Sequence, residues 1–469
     1  MSGTLLVLPV VIPWTLAAVF ALLDGRRPWV AWLAVAGLGA ALASVVLLTF
    51  RVLRGGPVEM VAGGWPEGVG ITLRADALGV TFAALSVGVI LVSLVYEVLG
   101  GVRSRTFPSL VLFMAAGLSG LFLTGDIFNF YVFFEISMTA AYVLSSYREN
   151  DYQVRAAFIF AIINLLGSVV FLISVAALYH VTGSLDMQVV AARIANVEPN
   201  SVITISVAVF VAFCLKLGLF PFHFWLPAVY VGSHAPVAAI LSGALANIGG
   251  YGLLRFGGGI LPKELEFGTT VVLILGTASI IYGALQAISR HATVEVLAYS
   301  AIGQAGYILI ALAIGGTVGF SAAVVYAVVN SLNKTLLFLA AGVRGPLVGA
   351  AFAVGAFSMV GVPPAAGFLG KLALFRASLA ADGVALASVL VALVFVGGAL
   401  SFLYAFQVYQ RVFLAPQSQD GAREKSSPLL ARVLVLSLAA LVLAAGIWPE
   451  PLLALSDAAA VVLADGRPQ

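Results

Sequence analysis

Glu135, Lys216, Lys334 and Lys371 carry charge where charge is costly. They lie inside the apolar stretches FNFYVFFEISMTAAYVL, VFVAFCLKLGLFPFHFWLP, VVYAVVNSLNKTLLFLAAG and GVPPAAGFLGK respectively. An ionised side chain at bilayer depth is expensive, so such residues face a bundle interior or a wet cavity and are candidates for function. The chemistry that suits them is proton exchange. Burial favours a neutral amine and a neighbouring carboxylate favours the ammonium, so the distance from Glu135 to Lys216 would decide whether that lysine keeps its proton.

Spacing extends each candidate along its helix. Tyr131, Glu135, Thr139 and Tyr142 recur at helical intervals, as do Tyr326, Asn330 and Lys334, and Ser300, Gln304 and Tyr307. Each set is predicted to form one polar stripe that could hold a file of water. Blander readings exist for each. Glu135 could be a neutral acid or a staple between helices, Lys216 could snorkel to an interface, and the stripes could be inter-helix hydrogen bonds. His223, close to Lys216 in sequence, could relay a proton, whereas His180, His234 and His291 fall at span ends and read as interfacial. Cys214 is the single cysteine, and no H-x-x-H pattern or acidic cluster suggests a metal. No phosphate-cradling loop follows a strand, and no basic cluster with aromatics suggests nucleic acid. No cofactor is expected.

These side chains need a membrane bundle to position them. Of 469 residues, 62% are hydrophobic and 9% charged, with a mean hydropathy of +1.11; a soluble domain carries about a quarter charged residues. Runs of roughly 20 apolar residues, enough to cross a bilayer, recur throughout. The expected fold is an all-α polytopic membrane protein with about fourteen spans. They fall near 4–23, 29–53, 75–99, 107–124, 126–147, 156–180, 201–220, 231–256, 267–289, 295–314, 318–342, 346–374, 384–413 and 429–448. The first reads as a retained helix, since no basic n-region or cleavage site marks a signal peptide. Residues 54–74 suggest a small hairpin outside the membrane, and 414–428 a polar loop on the other face.

Loops after odd-numbered spans hold roughly twelve Lys and Arg against eight elsewhere, so the positive-inside rule places both termini outside. Lys216, Lys334 and Lys371 have no loop to occupy. Two spans carry helix breakers, LGLFPFHFWLP after Lys216 and GVPPAAGFLGK before Lys371, and broken helices in corresponding positions mark transporter inverted repeats. The expected organisation is a three-helix segment with the hairpin over 1–106, five-helix repeats over 107–256 and 267–413, and a cytoplasmic loop with a C-terminal helix over 414–469.

Several motifs in order carry a resemblance. TGDIFNFYVFFEISMTAAYVLSSY, FCLKLGLFPFHFWLPAVYVGSHAPVAAILSG, VLAYSAIGQAGYI, NKTLLFLAAG and GVPPAAGFLGKLALF resemble the antiporter-like subunits shared by respiratory complex I and Mrp-type Na⁺/H⁺ antiporters. With GGWPEGVGI and the chain length, they look most like the MrpD branch of that family. The resemblance implies fourteen helices, half-channels around broken helices, and roles for Glu135 as the central glutamate, Lys216 as the proton-carrying lysine and Lys371 as the terminal one. Lys334 matches the basic residue of a "KALLFL" helix. It implies a multi-pass protein of the bacterial inner membrane that works with the other members of an Mrp-type complex to move H⁺ and Na⁺, a transporter and not an enzyme. The sequence departs from the pattern where Asn247 stands for a lysine or histidine, Asn330 for a histidine, and Glu295 for a basic residue. Asn247 cannot titrate, so a relay past it would run through water. Two other readings share these residues: a proton-pumping component of a redox complex such as NADH dehydrogenase or a membrane hydrogenase, and a non-transporting scaffold.

Overall fold

The architecture comes from a computed structural model, which describes residues 2–65, 70–147, 150–381, 383–414 and 428–464. Two long helices open the chain, α1 (Ser2–Leu22) and α2 (Pro28–Gly55). The hairpin follows, with β1 (Val58–Val61) antiparallel to β2 (Thr72–Ala75) in the register Val58 to Ala75 and Val61 to Thr72. Then come α3 (Ala77–Gly100), α4 (Phe107–Phe122), α5 (Ile127–Ser145), α6 (Asp151–Thr182) and the short α7 (Met187–Ile194). Polar residues at the entries cap these helices. Asp76, Asp126, Asn150 and Asp186 each accept from a backbone N–H in the first turn, a contribution of about 1 kcal/mol apiece.

The two breaker motifs interrupt their helices as expected. α8 (Pro199–Leu217) stops at Gly218 and resumes as α9 (Trp225–Gly232); α16 (Pro346–Val360) stops at Gly361 and resumes as α17 (Ala366–Leu379). Both glycines adopt positive φ, +71° and +99°, a conformation that L side chains rarely adopt. Residues 235–260 form one further span made of α10 (Ala235–Ile240) and α11 (Asn247–Gly252), with π-helical turns at 241–245 and 253–260. The rest is α12 (Pro262–Phe267), α13 (Thr269–Ser289), α14 (Thr293–Ile314), α15 (Gly316–Ala341), α18 (Val384–Tyr409), α19 (Leu429–Ile447) and α20 (Glu450–Ala464). Among the described residues, twelve helices are long and apolar enough to cross a bilayer, and Phe107–Phe122 and Leu347–Val360 are shorter apolar ones.

Polarity sorts the helices by depth. The most apolar window of the 235–260 span is 94% buried, that of α14 89% and that of α15 83%, against 22% for the helix containing α18. The well-covered helices are the ones that carry Asn247, Gln304 and Lys334, while an apolar surface of residues such as Phe158, Ile162 and Phe395 faces outward. That is the distribution a lipid solvent requires.

Two expectations need correction. Arg255, counted among the eight bases of the loops after even-numbered spans and the tails, lies inside the 235–260 helix, which runs past the expected end at 256, and pairs there with Asp76. The segment after 448 also holds a second C-terminal helix, α20, which packs on α3 and α15. Residues 415–427, most of the expected polar loop, lie outside the described residues.

Close approach of α11 to α8 sets the position of the Lys216 end. A Cβ on Gly249 would meet Leu217 Cβ at 2.7 Å and Leu217 N at 2.8 Å, and backbone cannot yield cheaply. Gly249→Ala is expected to destabilise the protein by about 1–3 kcal/mol, read as a lower unfolding temperature in detergent. Gly39→Ala, where nothing lies within 4 Å, is the matched control and should change little.

Candidate proton-transfer site

Lys216 occupies the last turn of α8 and is buried. The chain end that follows it is held shut: Leu219 N–H donates to the Cys214 carbonyl at 3.1 Å, and Trp225 Nε1 to the Leu215 carbonyl at 3.0 Å. The ammonium points at α6. Nζ donates to the Asn164 carbonyl at 2.9 Å and to Ser168 Oγ at 3.0 Å, and sits 4.0 Å above the Phe134 ring. Sequence reasoning missed Asn164 and Ser168, although two polar residues four apart in an apolar span were the signal available. A cavity of about 10 Å³, room for about one water, joins Lys216 and Asn164 to Tyr230, Leu245 and Ala246.

Glu135 lies close enough for its charge to act on Lys216, but no ion pair among the described residues includes either side chain. Glu135 Oε1 is buried without a hydrogen-bond partner. The predicted stripe around it is split. Tyr131 packs on Phe134 and Phe171, Tyr142 on Phe160, whereas Thr139 is exposed and its hydroxyl donates back to the Glu135 carbonyl at 2.8 Å. His223 lies in the break after α8, its ring centroid 5.6 Å from Phe220 and 4.5 Å from Tyr282.

The central axis continues through α11 and α15. Asn247 donates to the Gly243 carbonyl at 2.9 Å and to Ser86 Oγ at 3.4 Å, and accepts from Ser331 Oγ at 2.9 Å. Asn330 and Lys334 follow one another by one turn on α15, both buried. The adjacent π-helical turn is a type of irregularity frequent at functional sites.

Lys371, on α17, is surrounded by tyrosines. Its Nζ lies 3.2 Å from the Tyr307 ring centroid and 5.5 Å from that of Tyr326, with no hydrogen-bond partner among the described residues. Behind it, Tyr326 donates to Gln304 Oε1, and Gln304 Nε2 donates to Tyr404 at 3.1 Å. The predicted Gln304 and Tyr307 stripe therefore meets Lys371. A second ion cluster closes the hairpin end: Arg255 binds Asp76 through two hydrogen bonds of 2.7 Å, and Arg74 reaches Glu59 at 2.7 Å. Burial works against the Asp76 carboxylate, but Arg255, the Gly79 N–H and Arg74 outweigh it and hold the group below its ordinary range.

The architecture defines a membrane bundle with titratable groups buried beside broken helices. Residues 124–397 match the family described as "NADH:quinone oxidoreductase/Mrp antiporter, TM", and the chain belongs to that family. It is 29% identical over 477 residues to the D component of the Na⁺/H⁺ antiporter of Alkalihalophilus pseudofirmus, covering 96% of this chain and 95% of that one. A chain of the Mrp complex from a Dietzia species superposes with a TM-score of 0.89 at 28% identity, over 98% of this chain and 97% of that one. A chain of respiratory complex I from Thermus thermophilus superposes with a TM-score of 0.77 at 26% identity, over 96% and 98%.

Proposed function

We propose that this chain is the proton-translocating subunit of a multisubunit Na⁺/H⁺ antiporter, in a bacterial inner membrane and beside the other members of an Mrp-type complex. Protons pass through half-channels at the broken helices and along a chain of Lys216, Lys334, Lys371 and water. The observation that carries this reading is that three lysines are buried with none of them in an ion pair among the described residues, Lys216 and Lys371 beside helix breaks and Lys334 one turn from Asn330 on α15. An amine without a fixed counter-charge can give up its proton and take it back; one locked to a carboxylate holds on. Glu135 is the charge that biases Lys216, His223 relays a proton, and Asn247 and Asn330 hold water between the amines. Residues 107–256 and 267–413 form the two repeats that carry one broken helix each.

The redox-pump reading shares these residues and is favoured by the complex I likeness, but the full-length match to the D component of a Na⁺/H⁺ antiporter supports antiport. Complementation of a salt-sensitive, antiporter-deficient bacterium with the whole operon tests it. Wild type should restore growth at high Na⁺ and alkaline pH, and Glu135→Ala or Lys216→Ala should not. Equal rescue by both variants would sink the assignment.

A further inference from the structure

Glu97, in the last turn of α3, is 3% exposed and has no part in the relay described above. Tyr147, just past α5, donates its hydroxyl hydrogen to Glu97 Oε1 at 2.6 Å. The same hydroxyl accepts from the Arg103 N–H at 3.1 Å. Burial, then the Glu97 charge, push the Tyr147 phenol above its ordinary value, which keeps it a donor. On the other side, His234 precedes α10 and places Nδ1 3.3 Å from Glu97 Oε2, with 24% of its side chain exposed. A deep carboxylate thus touches an imidazole that reaches the surface.

The interior side of Glu97 is also polar. Ser86, Ser93 and Glu97 stand at i, i+7 and i+11 on α3, within one narrow helix face. Glu97 faces His234, and Ser86 faces Ala244 and Asn247, so α3 runs antiparallel to the 235–260 span with Ser93 between these two contacts. Ser93 is fully buried and its Oγ has no hydrogen-bond partner among the described residues. An unpaired buried hydroxyl is costly, and a bridging water would satisfy it. Beyond Ser86 the contacts run through Asn247 to Ser331, three residues before Lys334. Fully buried Ile90 closes the face between Ser93 and Ser86, which lie about 10 Å apart along the axis.

From these contacts we infer that Glu97, with His234 and Tyr147, is a proton port on the face that the arginine bias assigns to the cytoplasm, connected along α3 to Asn247 and Lys334. This deepens the antiporter reading and rests on it. Each hop breaks one N–H or O–H bond and makes the next, leaving the electron pair on the donor atom. An imidazolium passes its proton to the Glu97 carboxylate, and the carboxyl passes it to water at Ser93. Water crossing Ile90 carries it on, and Asn247 and Ser331 orient that water without ionising. The same steps run in reverse.

The test uses the whole complex in everted membrane vesicles, with proton movement followed by a pH-sensitive dye on adding Na⁺. Glu97→Gln should slow exchange at least about tenfold, a barrier increase of about 1.4 kcal/mol, in a complex that still assembles, and Glu97→Asp should restore most of the rate. Wild-type exchange in Glu97→Gln, with Glu135→Ala inactive, overturns the port and leaves the relay standing. If Glu135→Ala and Lys216→Ala also exchange normally, the relay itself falls. Should Glu97→Gln fail to assemble, Ser93→Cys in a Cys214→Ser background decides the matter. A small cationic methanethiosulfonate added on the cytoplasmic face should then label the new thiol and block exchange. No labelling, or labelling only from the outer face, overturns the port.

Discussion

Replacing Lys371 by methionine is expected to slow Na⁺-driven proton exchange by at least about tenfold, a barrier increase of about 1.4 kcal/mol, in a complex that assembles at normal levels. Methionine keeps the length and most of the packing of the lysine stem, so the change removes the ammonium and little else. That ammonium has ring faces around it and no hydrogen-bond acceptor among the described residues. Cation–π attraction in a desolvated site is worth about 2 kcal/mol, a weaker hold on an ammonium than a buried carboxylate would have. Lys371→Arg should fail as well. A guanidinium does not release its proton in a protein, and the stem is already crowded, since a Cβ on Gly361 would lie 2.5 Å from Lys371 Cγ. The check is the initial exchange rate in everted vesicles normalised to assembled complex on a native gel. Wild-type rates in the methionine variant would make Lys371 a packing residue.

The second large effect concerns stability. Asp76→Asn is expected to destabilise the bundle by about 3–5 kcal/mol, because it leaves the Arg255 guanidinium buried with no counter-charge. The asparagine can still cap α3 through the Gly79 N–H that Asp76 now holds at 2.9 Å, so the loss isolates the ion pair. A double replacement, Asp76→Leu with Arg255→Met, should recover much of it, since a buried pair exchanged for apolar groups is often nearly neutral. The pH dependence has a definite sign. Arg255 and its companions hold the Asp76 carboxylate below its ordinary range, so its contribution is complete at neutral pH and disappears as pH falls through the folded-state value. Unfolding temperatures of the detergent-solubilised complex should therefore fall more steeply with acid in wild type than in Asp76→Asn.

The three lysines were legible in the sequence because subtraction exposes them: every other strong base had a loop to occupy. The breaks after Lys216 and before Lys371 were legible too, since proline and glycine act locally. Periodicity was less informative. It groups Tyr131, Glu135 and Thr139 on one side of α5 but cannot say which way that side turns, and Thr139 faces outward. Arg255 was assigned to a loop because its partner Asp76 is 179 residues away, a distance that no window of hydropathy spans. Asn164 and Ser168 were lost for a related reason, since their value depends on the Lys216 ammonium from another helix. Glu97 was hidden by its place in the final turn of a span, where a charge usually needs no explanation.

Glu135 shares its helix face with Phe128, Val132 and Val143, which are 45%, 37% and 47% exposed. Its carboxylate therefore stands one layer beneath the outer skin of α5, and whatever molecule abuts that skin becomes part of the dielectric around it. Hydrocarbon chains there would penalise the anion, and a neighbour presenting dipoles or a cation would relieve it. Because the Glu135 charge acts on Lys216, the field around that amine is partly written by the company the helix keeps.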